Sequence, residues 1–181
     1  MDDIARVAPR KRRGTPTVSL RPFRRADLPT VIAWRRDPDL RRGTLWSDAV
    51  FGPREARRWL RTVSDGDASR VTLAIALRGS GRLVGLTSLT RIDRRAGTAY
   101  FGIVVGEKDC WGRGIARETL GRMLRRARAL RLRRILLEVA ADNARAIELY
   151  TRAGFATERV LRRRLARAEG LVDVIAMAFA L

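Results

Sequence analysis

The chain has 181 residues, of which 46% are hydrophobic, and this length and composition indicate a folded domain with a substantial core. It contains no histidine and one cysteine, which excludes histidine-based triads, disulfides within the chain and most zinc sites. No apolar run is long enough to span a membrane, and the first residues lack the apolar segment of a secretory signal. A cytoplasmic protein is therefore predicted.

The charge is strongly positive, with 39 basic against 19 acidic residues and a formal net charge of +20. Such a field attracts polyanions, so a ribosomal, RNA or acidic-protein partner is one interpretation. Codon bias toward arginine is the other, because only Lys11 and Lys108 are lysines. The sequence leaves both open.

The pattern of apolar, glycine and proline residues predicts a basic tail over residues 1–16 and a single domain over residues 17–181. Asp27 and Asp142 are expected to cap the first and the last helix of that domain. In chain order, the pattern predicts a strand over 18–21, helices over about 27–36 and from Pro53, strands over 71–77, 83–93 and 98–105, a helix over about 112–130, a strand over 134–140, a helix over about 143–153, and a hairpin over 155–167 and 171–180.

Residues 101–117 carry the most specific local signal, a strand followed by a glycine-broken loop that opens into a helix. Glycines let the backbone approach an anion closely, and the unpaired N–H groups of a helix N-terminus attract phosphate. The loop fits neither a Walker A motif nor a Rossmann fingerprint. It predicts a phosphate-bearing cofactor at Gly112–Arg117, and the alternative is a packed turn without a ligand.

A second motif follows about thirty residues later, where Asn143, Ala146, Leu149, Tyr150, Gly154 and Phe155 are spaced as Asn-x-x-Ala-x-x-Leu-Tyr-x-x-x-Gly-Phe. Together with Trp-Gly-x-Gly-x-Ala at 111–116, this resembles the GNAT acetyltransferases. The branch it resembles contains the ribosomal-protein N-terminal acetyltransferases and the spermidine acetyltransferases. Further motifs of that branch stand at 20–22, 34–38 and 170–177.

The resemblance implies an α+β fold with a central, mixed but mostly antiparallel, twisted sheet of six to seven strands. Helices would cover both faces, and strands four and five would diverge in a V-shaped splay that admits the cofactor, acetyl-coenzyme A. A homodimer is compatible with the resemblance. The residues implied to bind the cofactor are Ile103, Val104, Val105, Trp111, Gly112, Arg113, Gly114, Ile115, Ala116, Arg117 and Asn143.

These cofactor contacts have distinct expected roles. The amides of Arg113–Arg117 would hold the pyrophosphate, with the Arg113 side chain as counter-charge. A bulge at Ile103–Val105 would free a backbone N–H for the thioester carbonyl. Trp111 is expected to pack more than to bind, and Asn143 either caps its helix or contacts the coenzyme.

Tyr150 matches the general acid of the family, which protonates the departing thiolate; the alternative is a core tyrosine. The general base is open. Relatives often carry Glu where Tyr100 stands, which leaves Glu138 or a water relay. Cys110 is interpreted as a small hydrophobe.

The predicted function is acetyl transfer from acetyl-coenzyme A to a primary amine, either a protein or peptide α-amine or a small-molecule amine, by direct attack in a ternary complex. The alternative is a coenzyme A-binding domain with weak or no catalysis that binds ribosome or RNA through its arginine surface. Polyamine acceptors are disfavoured, because Asp37 and Asp39 are the only close pair of acids near the expected acceptor side.

Overall fold

The computed structural model describes residues 17–46, 49–167 and 170–181, so the predicted tail and the tip of the last hairpin lie outside the described residues. Every predicted strand and helix is present within a few residues, and one short helix after Asp37 was not predicted. The strands are β1 (Val18–Arg21), β2 (Val71–Leu77), β3 (Leu83–Asp93), β4 (Thr98–Val105), β5 (Arg134–Ala140), β6 (Ala156–Arg167) and β7 (Gly170–Ala180), and the helices are α1 (Leu28–Arg36), α2 (Pro38–Arg42), α3 (Pro53–Ser64), α4 (Ile115–Ala129) and α5 (Ala144–Arg152).

The strands form one seven-stranded sheet in the order β1-β2-β3-β4-β5-β7-β6, which confirms the predicted fold class. All neighbours are antiparallel except β4 and β5, which are parallel. That parallel pairing covers only Thr98–Tyr100 against Arg134–Leu136. Beyond it β4 stays paired with β3 and β5 stays paired with β7, so the two strands diverge and leave a V-shaped splay.

Helices cover both faces of the sheet, and side-chain alternation assigns each strand residue to one of them. On one face α4 and α5 pack on the buried β5 residues Ile135, Leu137 and Val139. On the other face, α1 and its neighbours pack on β2 and β3, where Trp34 and Ala74 belong to one apolar cluster. We call these the α4 face and the α1 face. Among the described helices, none is long and apolar enough to cross a membrane.

Neither aspartate predicted as a helix cap makes the capping hydrogen bond, although Asp27 does occupy the N-cap position of α1. Asp27 precedes α1, but its carboxylate accepts from Nη1 and Nη2 of Arg21, at 2.7 and 2.8 Å, and from the Arg24 N–H at 2.8 Å. Burial would raise the pKa of Asp27, but these hydrogen bonds outweigh it and the pKa is lowered. At α5 the cap is Asn143, one residue after Asp142, and its side chain accepts from the Ala146 N–H at 3.1 Å.

The expected bulge at Ile103–Val105 is also wrong. The register of β3 against β4 is unbroken from Gly85 to Thr90, and the irregularity falls later, between Thr90 and Asp93.

At the other end of β4, the Gly106 and Glu107 N–H groups both reach the carbonyl of Val84, at 2.9 and 3.3 Å. Sharing of one carbonyl by consecutive amides is the hydrogen-bond pattern of a bulge. The irregular backbone therefore begins just beyond β4, and the strand itself reaches the splay in regular geometry.

Gly106 makes the tightest contact between this bulge and α1. A Cβ at Gly106 would overlap the indole of Trp34, which is 4% exposed and donates from Nε1 to Glu107 at 2.9 Å. We expect Gly106→Ala to lower the free energy of unfolding by about 3 kcal/mol, because neither the ring nor the strand can move away. Gly79→Ala, where a Cβ meets nothing within 4 Å, is the control for chemical denaturation. Equal stability of the two variants would contradict the packing argument.

Candidate active site

A cleft of about 930 Å³ occupies the splay between β4 and β5. Its floor is the diverging strands, and α2 with the residues that follow it to Trp46 contributes one wall on the α1 face. The glycine-broken loop and the start of α5 contribute the opposite end. We call this the splay cleft. It brings together almost all the residues that the sequence predicted for the site.

The loop before α4 has the backbone of an anion-binding site. Gly112 and Gly114 have φ of 73° and 82°, in the left-handed region that side chains disfavour. Gly114 is the N-cap, and the first amide to bond back to it is that of Glu118, whose N–H reaches the Gly114 carbonyl at 3.0 Å. The amides of 115–117 therefore have no acceptor within the helix, and their N–H groups are free to bind a ligand of negative charge.

One cation beside this loop was missed by the sequence analysis. Arg145 lies over the ring of Trp111 at 5.5 Å, and its guanidinium is 3.6 Å from the point that a Cβ of Gly112 would occupy. Arg145 and Arg117 line the splay cleft, whereas Arg113, the predicted counter-charge, is exposed and is not among the lining residues. Arg145 stands at a variable position of the α5 motif, so the pattern gave no signal for it.

Trp111 fixes the loop to the end of β4. Its Nε1 donates to the carbonyl of Val105 at 2.8 Å, and its ring packs against the apolar cluster under α1. This packing agrees with the expectation for Trp111, although the residue also lines the splay cleft.

The hydrogen bonds of β4 determine which of its amides face the splay. Gly106 N–H bonds to Val84 on β3, and in an antiparallel pair every second residue bonds to the same neighbour. Val104 therefore bonds toward β3, while Ile103 and Val105 present their backbone groups to the splay. Trp111 occupies the Val105 carbonyl, so the donors that these residues present to the splay are the N–H groups of Ile103 and Val105.

Tyr150 lines the splay cleft from α5 with its ring buried at 6% exposure. The ring packs edge-on to Phe101, with centroids 6.3 Å apart, and at 5.8 Å from Phe155. No described residue hydrogen-bonds its hydroxyl, although buried hydroxyls normally have a partner. Burial raises the pKa of Tyr150 to about 12, so the phenol keeps its proton throughout the physiological range.

Glu138 lies on β5 with its side chain exposed, between the buried Leu137 and Val139. Alternation therefore directs it to the α1 face, where it lines the splay cleft. Within the described part of the chain it has no hydrogen-bond or ion-pair partner. Tyr100 lines the same cleft at the point where β4 and β5 still pair.

Asn143 ties the cleft walls together besides capping α5. Its Nδ2 donates to the Gly43 carbonyl at 2.8 Å, across the mouth of the splay cleft. A second tie runs from Arg167 on β6 to the Arg41 carbonyl at 2.9 Å. These two bonds hold the end of α2 against the β5 side of the splay.

The close pair of acids that the sequence analysis expected near the acceptor side lies beside Lys108, next to the phosphate loop, and shares its single positive charge. Lys108 donates to Asp37 at 2.8 Å and to Asp39 at 2.5 Å. A hydrogen bond from Lys108, with the ammonium charge, lowers the pKa of Asp37. Asp39 lines the splay cleft and shares the Lys108 ammonium with Asp37, so the three groups together retain one negative charge.

A parallel splay in an antiparallel sheet, with an anion-binding helix start beside it, is the architecture of a coenzyme-dependent acyltransferase. A profile of the acetyltransferase (GNAT) domain family matches residues 17–156. The chain therefore belongs to the GNAT acetyltransferases: it is an N-acetyltransferase, and its cofactor is acetyl-coenzyme A. No protein among the curated sequences matches it.

Solved structures confirm the fold. The spermidine N-acetyltransferase from Vibrio cholerae in complex with CoA and spermine has a TM-score of 0.80 at 23% identity, covering 90% of this chain and 95% of that one. A dodecameric structure of the V. cholerae enzyme in an intermediate state has a TM-score of 0.75 at 24% identity, covering 90% and 93%. The spermidine/spermine N-acetyltransferase with manganese ions, from the same organism, has a TM-score of 0.74 at 24% identity, covering 90% and 92%. At these identities the likeness is one of fold.

Proposed function

We propose that the chain acetylates a primary amine, either a peptide α-amine or a small-molecule amine, which attacks acetyl-coenzyme A directly in a ternary complex. The observation that carries the proposal is the position of the Tyr150 hydroxyl. It lines the same cleft as the anion-binding loop, and no described protein group satisfies it. A proton donor and a phosphate site in one cleft are what the reaction requires.

The residues of the cleft fit the cofactor. The unpaired amides of 115–117 suit the pyrophosphate, and Arg145 and Arg117 supply counter-charge at the same end of the cleft. We assign contact with the pantetheine arm to the Val105 N–H and the Asn143 side chain. When bound, acetyl-coenzyme A supplies the activated acetyl group.

Tyr150 holds the proton that the departing sulfur takes up. A thiol has a pKa of about 8.5, so donation from a phenol of pKa about 12 is uphill by about 5 kcal/mol. The same apolar surroundings would raise the pKa of the thiol as well, which reduces the difference between the two pKa values. The Ile103 N–H would stabilise negative charge on the acetyl oxygen as the amine attacks.

Removal of the amine proton is assigned to water, with Glu138 attracting the ammonium. We expect Glu138→Gln to raise the KM for the amine by about tenfold and to lower kcat by less than tenfold. The acidic limb of the rate profile should then follow the pKa of the amine in both proteins. A fall in kcat of more than about a hundredfold, with the acidic limb lost, would make Glu138 the base.

The proposed function is tested by thiol release with a panel of amines and purified protein. Release that depends on an added amine, with a mass increase of one acetyl group on that amine, supports the proposal. Absence of release with every amine, in protein that binds coenzyme A, would leave the domain as a binding module.

Polyamines are not the acceptors we propose, although the V. cholerae structure contains spermine. A polycation needs unpaired acids, and the acid pair here is held by Lys108. The overall charge of +20 opposes the approach of a polycation as well.

Assembly into a homodimer stays a prediction.

The exposed edge strand β6 favours a second candidate function, binding of a polyanion such as ribosomal RNA. Arg159, Arg163 and Arg164 are exposed along it. If that surface binds RNA, retention on a filter should fall steeply between low and physiological salt, because bound counterions are released. Absence of retention at low salt would leave codon bias as the account of the charge.

A further inference from the structure

Arg91 lies on the opposite face of the sheet from the one that strand alternation gives it. Leu89 and Ile92 are three positions apart and both pack on the α4 face. In a regular strand, residues on one face are two or four positions apart, so one extra residue stands between them. The register of β3 against β4 shifts at this point, between Thr90 and Asp93. Arg91 itself has a left-handed φ of 49°, which is uncommon for a residue with a side chain. The bulge therefore turns Arg91 toward the α1 face.

The turned side chain reaches the acceptor end of the splay cleft. The Arg91 guanidinium carbon lies 5.0 Å from the centre of the Tyr100 ring, and both residues line the cleft. In the described part of the chain, Arg91 has no carboxylate partner, and its guanidinium contacts the Tyr100 ring. A cation is thus held over the Tyr100 ring inside the splay cleft.

Glu138 is the complementary charge on the other side of the splay. Tyr100 pairs with Leu136, so Glu138 lies two residues, or about 7 Å, farther along β5 on the same face. It has no cationic partner among the described residues, and Arg91 does not lie within ion-pair distance of it. One cleft therefore contains an anion and a cation that are separated from each other and unpaired.

We propose that the acceptor is a primary amine that carries a carboxylate, with its ammonium at Glu138 and its carboxylate at Arg91. This rests on the proposed function of the cleft. Such a ligand compensates both charges at once, whereas a neutral amine compensates one and a diamine brings a second cation against Arg91. Arg91 is then a specificity-determining residue, because it contacts a part of the acceptor remote from the reacting amine.

The test compares three series of acceptors of matched length that differ only at the far end. These are ω-amino carboxylic acids, n-alkylamines and terminal diamines, each assayed for kcat/KM by thiol release. We expect wild type to prefer the amino acids over the alkylamines by about tenfold or more, at an optimum chain length, and to disfavour the diamines.

Variants of Arg91 assign that preference to one side chain. Arg91→Gln should lower kcat/KM for the amino acids by about 10- to 100-fold and change it for the alkylamines by less than about threefold. Arg91→Glu should shift the preference to the diamines. Arg94→Gln, at the exposed turn after β3, removes the same charge nearby and should keep the wild-type order. Thermal melts of the variants check folding, which an exposed side chain should not affect.

Glu138→Gln separates the two ends of the ligand. It should lower kcat/KM in all three series, because the ammonium is common to them, while Arg91→Gln acts on one series. Equal kcat/KM for amino acids in wild type and Arg91→Gln would overturn this inference and leave the acetyltransferase intact. Absence of thiol release with every series would instead overturn the proposed function, and this inference with it.

Discussion

Gly114→Asp is expected to abolish binding of coenzyme A while the folded chain is retained. Gly114 is the N-cap of α4 with φ of 82°, directly before the unpaired amides of 115–117. A carboxylate there would occupy those amides and repel the pyrophosphate; two like charges about 5 Å apart near a protein surface cost roughly 3 kcal/mol. The affinity should fall by at least about a hundredfold. Calorimetric titration measures it directly.

Gly114→Asn is the matched control, because it is nearly isosteric with aspartate, lacks the charge and tolerates the left-handed conformation. It should keep most of the affinity. In thermal melts, coenzyme A at about 100 times its Kd stabilises a binding protein by about 2.7 kcal/mol, a shift of roughly 5–10 °C at this size. Wild type and Gly114→Asn should show this shift, and Gly114→Asp should not. Equal shifts in all three would place the pyrophosphate elsewhere.

The strand order and the splay follow from features visible in the sequence. The β2–β3–β4 meander is legible as alternating segments separated by short turns, and the helix α4 between β4 and β5 requires a parallel crossover. The loop glycines at 112 and 114 were legible too, since glycine adopts positive φ without strain and most other residues disfavour it. Because parallel pairing stops at Tyr100 and Leu136, backbone groups of both strands are left for a ligand.

Other parts of the site were not predictable, since they depend on contacts distant in sequence. Asp27 has the residue type of a helix cap, but Arg21 competes for its carboxylate with a bidentate ion pair. Arg145 is one of many arginines, and only its stacking on Trp111 distinguishes it. Alternation along a regular strand would place Arg91 on the α4 face with Leu89, and a bulge of one residue reverses its face.

The bulge at Arg91 and the one after β4 have a common consequence for the cleft. Each occurs where a regular strand would have continued pairing, one at the acceptor end and one beside the phosphate loop. Between them β4 is regular, so its free edge presents the Ile103 N–H at a fixed position. Binding groups thus lie at the irregular ends, and the reacting centre lies on the rigid segment.

Tyr150→Phe is expected to reduce kcat by roughly 10²–10⁴, the usual contribution of a positioned general acid, with little change in the affinity for coenzyme A. The ring contacts with Phe101 and Phe155 are retained by phenylalanine, so the fold is not disturbed. The hydroxyl has no partner among the described residues, and its removal should leave the free energy of unfolding unchanged or slightly higher. Stability and turnover therefore respond differently to the same substitution.

Tyr100→Phe is the comparison, because Tyr100 is the other tyrosine of the chain and lines the same cleft. Loss of the Tyr100 hydroxyl should lower kcat by less than about tenfold. With a pKa of about 12, Tyr150 stays protonated up to at least pH 10, so wild type should show no fall in kcat from its ionisation below that pH. Pre-steady-state thiol release would separate the chemical step from product release. Turnover of Tyr150→Phe equal to that of wild type in this assay would return Tyr150 to a packing role.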